Sequence, residues 1–167
     1  TSYGDVLVQN FSRQMRAIVS SKLYRKLFRL EIDYASKAKD LWMIKKGGGF
    51  RASPLQGVIT GFGAGIMEPG WGGALIIDDF IKADDYKSAV VKQSVIDLYE
   101  NTLKSRINNP DTPIIIIAQR IAKDDLIGHL MQKEPEQWQF LVLPALQDDG
   151  ESIWPDKLPV KTLERMR

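Results

Sequence analysis

The sequence has no cysteine, which excludes a disulfide scaffold, a thiolate nucleophile and any cysteine-based zinc or iron–sulfur site. Its single histidine, His129, is too few for an HExxH motif or any multi-histidine ligand set. No apolar run approaches the length of a membrane span and no signal-peptide pattern opens the chain, so the expectation is a cytosolic soluble domain. Neither GxxxxGK[ST] nor GxGxxG occurs. A phosphate-cradling loop is therefore not encoded in these residues, and a Rossmann-type oxidoreductase is disfavoured. The opening Thr1-Ser2-Tyr3-Gly4 carries no initiator methionine and reads as an internal start.

What remains is an ordinary globular composition. The 167 residues, 44% hydrophobic and 26% charged, suit a single domain. The net charge of +2 hides an asymmetry: residues 1–54 hold 11 Lys/Arg against 4 Asp/Glu, whereas residues 55–167 hold 12 against 17. A basic first third suits an anionic partner, but lysines scattered on helices are also an ordinary solvated face.

Periodicity sketches the elements. Leu7, Phe11, Met15, Ile18 and Val19 recur at helical spacing after Asp5, a plausible N-cap, with Arg13 and Arg16 on the polar side. Ser20-Ser21 marks a break before a short helix holding Leu23, Tyr24, Leu27 and Phe28. Residues 41–45 and 50–53, joined by Gly47-Gly48-Gly49, read as a hairpin. Further strands are expected at 57–60, 74–77, 113–118 and 140–143. A long helix is expected from Asp84 or Asp85 to Ile107, and a shorter one from Lys123 or Asp124 to Met131, with Leu126, Ile127 and Leu130 inward. All-apolar strands alternating with amphipathic helices imply an α/β three-layer sandwich with a mostly parallel sheet. Trp42, Trp71, Trp138 and Trp154 are unevenly spaced and read as packing residues. Residues 148–167, with Pro155 and Pro159, read as a connector leading into a short helix and toward a further domain.

In open parallel sheets ligands bind beyond the carboxyl ends of the strands. Two strands end there in polar residues: Ala74-Leu75-Ile76-Ile77 in Asp78-Asp79, and 113–118 in Gln119-Arg120. Four hydrophobic residues followed by two acids is the Walker B pattern, in which the first acid orients Mg²⁺ and the second activates water. The competing reading is a surface turn in which Asp78 or Asp79 caps the next element. The glycines from Gly57 to Gly73 read as a surface loop, and His129 as a solvated side chain.

Several pieces together resemble one family. Ser2-Tyr3, Asn10-Phe11-Ser12-Arg13 and Leu23-Tyr24-Arg25-Lys26-Leu27-Phe28 resemble the stretch after the second strand of bacteriophage terminase large subunits. Gly57-Val58-Ile59-Thr60-Gly61 leading to Leu75-Ile76-Ile77-Asp78-Asp79-Phe80-Ile81-Lys82 resembles their Walker B approach. Ile116-Ile117-Ala118-Gln119-Arg120 with Lys123-Asp124-Asp125-Leu126-Ile127-Gly128 is similar to their third ATPase motif, and residues 140–146 to the following strand.

The resemblance implies part of a P-loop NTPase-like domain over residues 1–147, with 148–167 leading toward a nuclease domain. The whole protein would hydrolyse Mg²⁺-bound ATP to package double-stranded DNA into a procapsid. Its implied partners are the portal protein, the small terminase subunit and further copies in a ring, in the bacterial host cytoplasm and with no membrane partner. Asp78 would be the Mg²⁺ acid, Asp79 the water-activating acid, Gln119 and Arg120 the coupling position, and Arg51 a candidate arginine finger. Departures from the family pattern are the missing Walker A loop, Asp79 where Glu is common, Phe80 for Pro and Gln119 for Thr. The alternative is a degenerate, non-catalytic ATPase-like interaction module of a prophage protein.

Overall fold

A computed structural model describes residues 1–35, 38–57 and 61–166. The first helix, α1 (Asp5–Ser20), has Gly4 as its N-cap, and Asp5 sits in the first turn, where its charge suits the helix dipole. Its buried line is Val8, Ser12 and Val19, while Met15 and Ile18 face solvent, so the core-facing stripe is rotated from the one its periodicity suggests. Ser21 then caps α2 (Lys22–Phe28), its hydroxyl accepting from the Tyr24 N–H at 3.2 Å.

Three short strands come next: β1 (Ile32–Asp33), β2 (Leu41–Ile44) and β3 (Gly49–Arg51), antiparallel in the order β1-β2-β3. The expected hairpin is β2–β3, with Gly47 and Gly48 at positive φ in its turn, a conformation that costs glycine nothing. Trp42 stacks on Phe50 at 5.4 Å between ring centroids. With Val19 and Ile32 it forms a core against which Tyr24, Ile44 and Phe50 pack. The packing role expected of the tryptophans holds for Trp42; Trp71 and Trp154 are exposed.

The expected strand at 57–60 lies outside the described residues except for Gly57, which is in a bend. Strand β4 (Leu75–Asp78) pairs in parallel with β5 (Ile114–Ile117), Leu75 opposite Ile114 and Asp78 opposite Ile117. The other edge of β4 receives the chain start: Thr1 N donates to Ile76 O (2.5 Å), Asp78 N to Thr1 O (2.8 Å) and Tyr3 N to Asp79 O (3.0 Å). Ser2 in turn bridges to Pro54 in parallel sense. The chain is thus mixed α/β, with a small parallel layer and a separate antiparallel one. One face of the parallel pair is sealed at Ile77, which is fully buried, whereas Ile76, Ile115 and Ile117 are 44%, 43% and 54% exposed.

The single long helix expected from residue 84 or 85 to 107 is corrected by the structure. A 3-10 turn (Ala83–Lys87) comes first. Ser88 then leaves helical geometry and caps α3 (Ala89–Leu98) by accepting from the Val91 N–H. Residues Tyr99–Leu103 form a π-turn and Lys104–Arg106 a further 3-10 turn. The apolar period survives these changes of pitch, since Val95, Tyr99 and Leu103 are all buried.

Helix α4 (Leu126–Lys133) begins later than expected, after Asp125, whose carboxylate accepts from the Gly128 N–H at 2.8 Å. A last helix, α5 (Val160–Met166), succeeds the two C-terminal prolines. The strand expected at 140–143 is also corrected: these residues form no strand among the described residues, and Leu141, Val142 and Leu143 are 84%, 61% and 66% exposed. An apolar run without a strand to pair with has no means of satisfying its backbone in a ladder. The contacts divide the chain into two compact units, Thr1–His129 and Leu130–Arg167. In the second, Leu146 bridges Ser152 in antiparallel sense, and the Ser152 hydroxyl donates to Leu158 O at 2.6 Å. No helix among the described residues is long and apolar enough to cross a membrane.

Candidate functional site

The parallel register decides which side chains meet. Because Asp78 lies opposite Ile117, Asp78-Asp79 and Gln119-Arg120 emerge at the same carboxyl end of the two-strand layer. Asp79 takes positive φ (47°) as the strand ends, a left-handed turn that Asp tolerates better than most residues. Its N–H donates to Ile117 O at 2.9 Å, and its carbonyl accepts from the Tyr3 N–H and, at 3.3 Å, from the Ser2 hydroxyl. The backbone of Asp79 is therefore locked from both sides while its carboxylate stays free of hydrogen bonds among the described residues.

Asp78 is half-buried. Burial, and after it the negative charge of Asp79, push its carboxyl above the usual aspartate range, against an opposing pull from the Thr1 amine. A carboxylate in that position gains from a cation.

A second group closes the same end. The Tyr86 hydroxyl donates to Gln119 O at 3.3 Å. Its phenol is pushed up to about 12, chiefly by burial, then by the charges of Asp125 and Asp79, with Arg120 opposing. Arg120 Nε donates to Asp125 Oδ2 at 3.2 Å. Asp125 is fully buried as a side chain, so this is not the exposed pair that a surface arginine would make. The carboxylate uses its other oxygen to cap α4. The neighbouring Asp124 pairs instead with Lys92 of α3 at 2.6 Å, which holds its carboxyl below the usual range. Gln119 itself is exposed, and its side chain makes no hydrogen bond among the described residues.

Gly128 explains how α4 comes so close. A methyl group there would collide with the Lys123 carbonyl and crowd an Arg120 nitrogen. Glycine is what lets the 119–125 segment cross over the first turn of the helix.

Two candidates lie elsewhere. Arg51 is in strand β3, ion-paired with Asp40 at 2.7 Å and placed 4.6 Å over the Phe62 ring. Neither contact is with the strand-end group. His129 is not freely solvated: its Nε2 lies 3.2 Å from Glu100 Oε1. The glycine-rich stretch is tied down from the 106–112 segment. Asn108 Nδ2 donates to Gly65 O, Asn109 Nδ2 to Ile66 O and Glu68 O, and Gly70 N to Asp111.

Sequence reasoning does not single out Tyr86, and it offers Asp125 only as one of two partners, with Asp124, for Arg120; the structure pairs Arg120 with Asp125. Asp125 had a signal: an aspartate three residues before a glycine N–H at a helix start is a cap. Tyr86 had none, because it was counted into a helix that does not form. No protein-family model, no curated protein and no solved structure matches the chain.

Magnesium is what a Walker B acid pair would hold. Mg²⁺ binds through one or two carboxylates and completes its shell with water and phosphate oxygens. Asp78, half-buried and pushed up by burial and its acidic neighbour, fits that demand. No larger cluster of metal-ligating side chains exists among the described residues. The nucleotide fits less well, because the sequence holds no phosphate-gripping GxxxxGK[ST] loop.

Proposed function

We propose that this chain is the part of a DNA-packaging ATPase, of the phage terminase large-subunit type, that carries the metal-orienting and water-activating acids. The observation that supports the reading is the parallel β4–β5 register, with Asp78-Asp79 and Gln119-Arg120 at one strand end. In this reading the two strands belong to a larger three-layer, P-loop NTPase-like sandwich. The bare residues Ile76, Ile115 and Ile117 are what such a layer leaves open when its other parts are missing. Mg²⁺ bound with the nucleotide would bridge phosphate oxygens and neutralise developing charge.

The roles of the chain's own residues come from their positions. Asp78 holds the cation. Asp79, with its backbone fixed on two sides, orients water and accepts its proton. Gln119 reports on the phosphate end of the cleft. Arg120, through Asp125 at the cap of α4, converts a change there into movement of that helix. Double-stranded DNA, the portal, the small subunit and a ring of copies are the partners of this reading.

The test uses both the isolated chain and a protein that supplies the phosphate-gripping loop. The 167-residue chain should show no Mg²⁺-dependent ATP turnover, because most phosphate contacts in such sites come from that loop. In the protein with the loop, Asp79→Asn should abolish hydrolysis while Mg²⁺–ATP binding persists, and Asp78→Asn should weaken binding itself. Identical behaviour of the two variants would remove the assigned roles. A non-catalytic interaction module expects both to alter stability alone.

A further inference from the structure

A strongly basic surface lies away from the strand ends, on α2. Lys22, Arg25, Lys26 and Arg29, with Leu30 and Glu31, line a shallow hollow of about 430 Å³. All four cations are exposed, and none has an ion-pair partner among the described residues. Positions 22, 25, 26 and 29 share one helical face. Tyr24, packed on the Val19–Ile32–Trp42 core, fixes the helix from the opposite side.

The hairpin adds to the same surface. Lys45 pairs with Glu31 at 2.7 Å, and Lys45, Arg25 and Lys46 together hold the Glu31 carboxyl below its usual range. The one acid lining the hollow is ion-paired to Lys45, which leaves Lys46 and the four α2 cations exposed and without an ion pair among the described residues.

Two of these cations stand where helix stability favours something else. Lys22 occupies the first turn of α2, which contains no acid, so it opposes the helix dipole. Arg29 is the C-cap at φ 50°, left-handed, where glycine is the usual choice. Arg25, Lys26 and the charge of Arg29 suit the C-terminal end of a helix, but the charge of Lys22 and the left-handed backbone of Arg29 have no such explanation. Both line the same hollow.

We propose that this face, α2 with the Lys46 corner of the β2–β3 hairpin, docks the phosphate backbone of double-stranded nucleic acid. From residue 22 to residue 29 the chain rises about 10 Å, over which a duplex presents about six charges. Five exposed cations without an ion pair among the described residues match that density. An anionic membrane is the less suitable partner. A helix seated on lipid buries an apolar face and keeps cations at the rim. Leu23, Leu27 and Phe28 of α2 are exposed, but the hollow itself is lined by the cations with only Leu30 among them, which favours phosphate contacts there. The proposal stands on the charges of this face and needs no nucleotide hydrolysis, so it survives or fails apart from the roles of Asp78 and Asp79.

The experiment is fluorescence anisotropy of a labelled duplex of about 20 base pairs titrated with the 167-residue chain. Five phosphate contacts predict a slope of log K against log salt of about −4.5, or a loss of about 500-fold in affinity between about 50 and 200 mM salt. Arg25→Gln/Lys26→Gln, both at exposed positions, should weaken binding at least about tenfold at the lower salt and bring the slope to about −2.7. Lys157→Gln/Lys161→Gln, in the second compact unit, should change neither. Thermal melts of the variants check that the fold is kept. Absence of duplex binding at about 10 μM chain and low salt would overturn the proposal. So would a salt slope that the α2 variant leaves unchanged. Binding to phosphatidylcholine vesicles containing about 30% phosphatidylserine, without duplex binding, would assign the face to a membrane surface instead.

Discussion

Asp125 does two jobs with two oxygens, capping α4 through Gly128 and fixing Arg120. Asp125→Ala removes both. Loss of a cap costs about 1 kcal/mol, and Arg120, a third exposed, can rehydrate, so the total should be about 1–3 kcal/mol in a urea titration. Asp125→Asn keeps the cap and should fall below that range. Tyr86 gives a spectroscopic check on the same group. A phenol raised to about 12 binds its proton more tightly in the folded state, so stability is undiminished below pH 10 and is lost as pH rises from there toward 12. Absorbance at the phenolate band should show a late-titrating component that is lost in Tyr86→Phe. At this scale the strand-end acids were legible because four apolar residues followed by charge is a local pattern. Asp125 was legible only as a cap and as one of two partners for Arg120, and Tyr86 not at all, because their place in the strand-end group arises from what the fold brings beside them.

Elements were legible where their signal was local and lost where it was not. The β2–β3 hairpin and the Ser21 cap could be read from glycines and a serine at fixed offsets. The segment from residue 83 to residue 106 kept its apolar period yet broke into 3-10, α and π pieces, because Ser88 offers its hydroxyl to the Val91 N–H and so starts a helix of its own. Two glycines carry the element-level predictions. Gly65 sits at φ 82°, and a methyl group there would collide with the Thr112 side chain. Gly65→Ala should therefore destabilise by more than about 1 kcal/mol. Gly128→Ala, which drives a methyl group into the Lys123 carbonyl, should loosen the first turn of α4. Faster amide exchange at residues 126–129 would record it, and unchanged exchange would show that the crossover segment can yield.

At the scale of the whole molecule, periodicity correctly gave strands β4 and β5 and their parallel sense, but not what covers them. An apolar strand reads the same whether both faces are buried or one is bare. Ile76, Ile115 and Ile117 are exposed here, and the far edge of β5 has no partner strand among the described residues. A flat, apolar, open edge promotes association between copies. Ile117→Lys should leave the melting temperature within a few degrees and reduce concentration-dependent light scattering. Unchanged scattering would mean that association, if any, runs through another surface such as Leu141–Val142–Leu143. The strand expected at 140–143 was read from composition alone, and composition cannot supply the neighbouring strand that a ladder requires.

The pairing of β4 with β5 also sets an order of events in time. The β2–β3 hairpin closes over a few residues and can form within microseconds. The parallel pair joins strands separated by everything from Asp79 to Pro113, and a loop of that length must lose its freedom before any ladder bond compensates. The chain start, hydrogen-bonded to the far edge of β4, is a longer closure still. Asp78, Asp79 and Gln119 therefore come together only when the slowest contacts are made. In a refolding experiment the long-range Tyr86–Gln119 contact should lag behind the burial of Trp42, so the strand-end group would serve as a clock for the completion of folding.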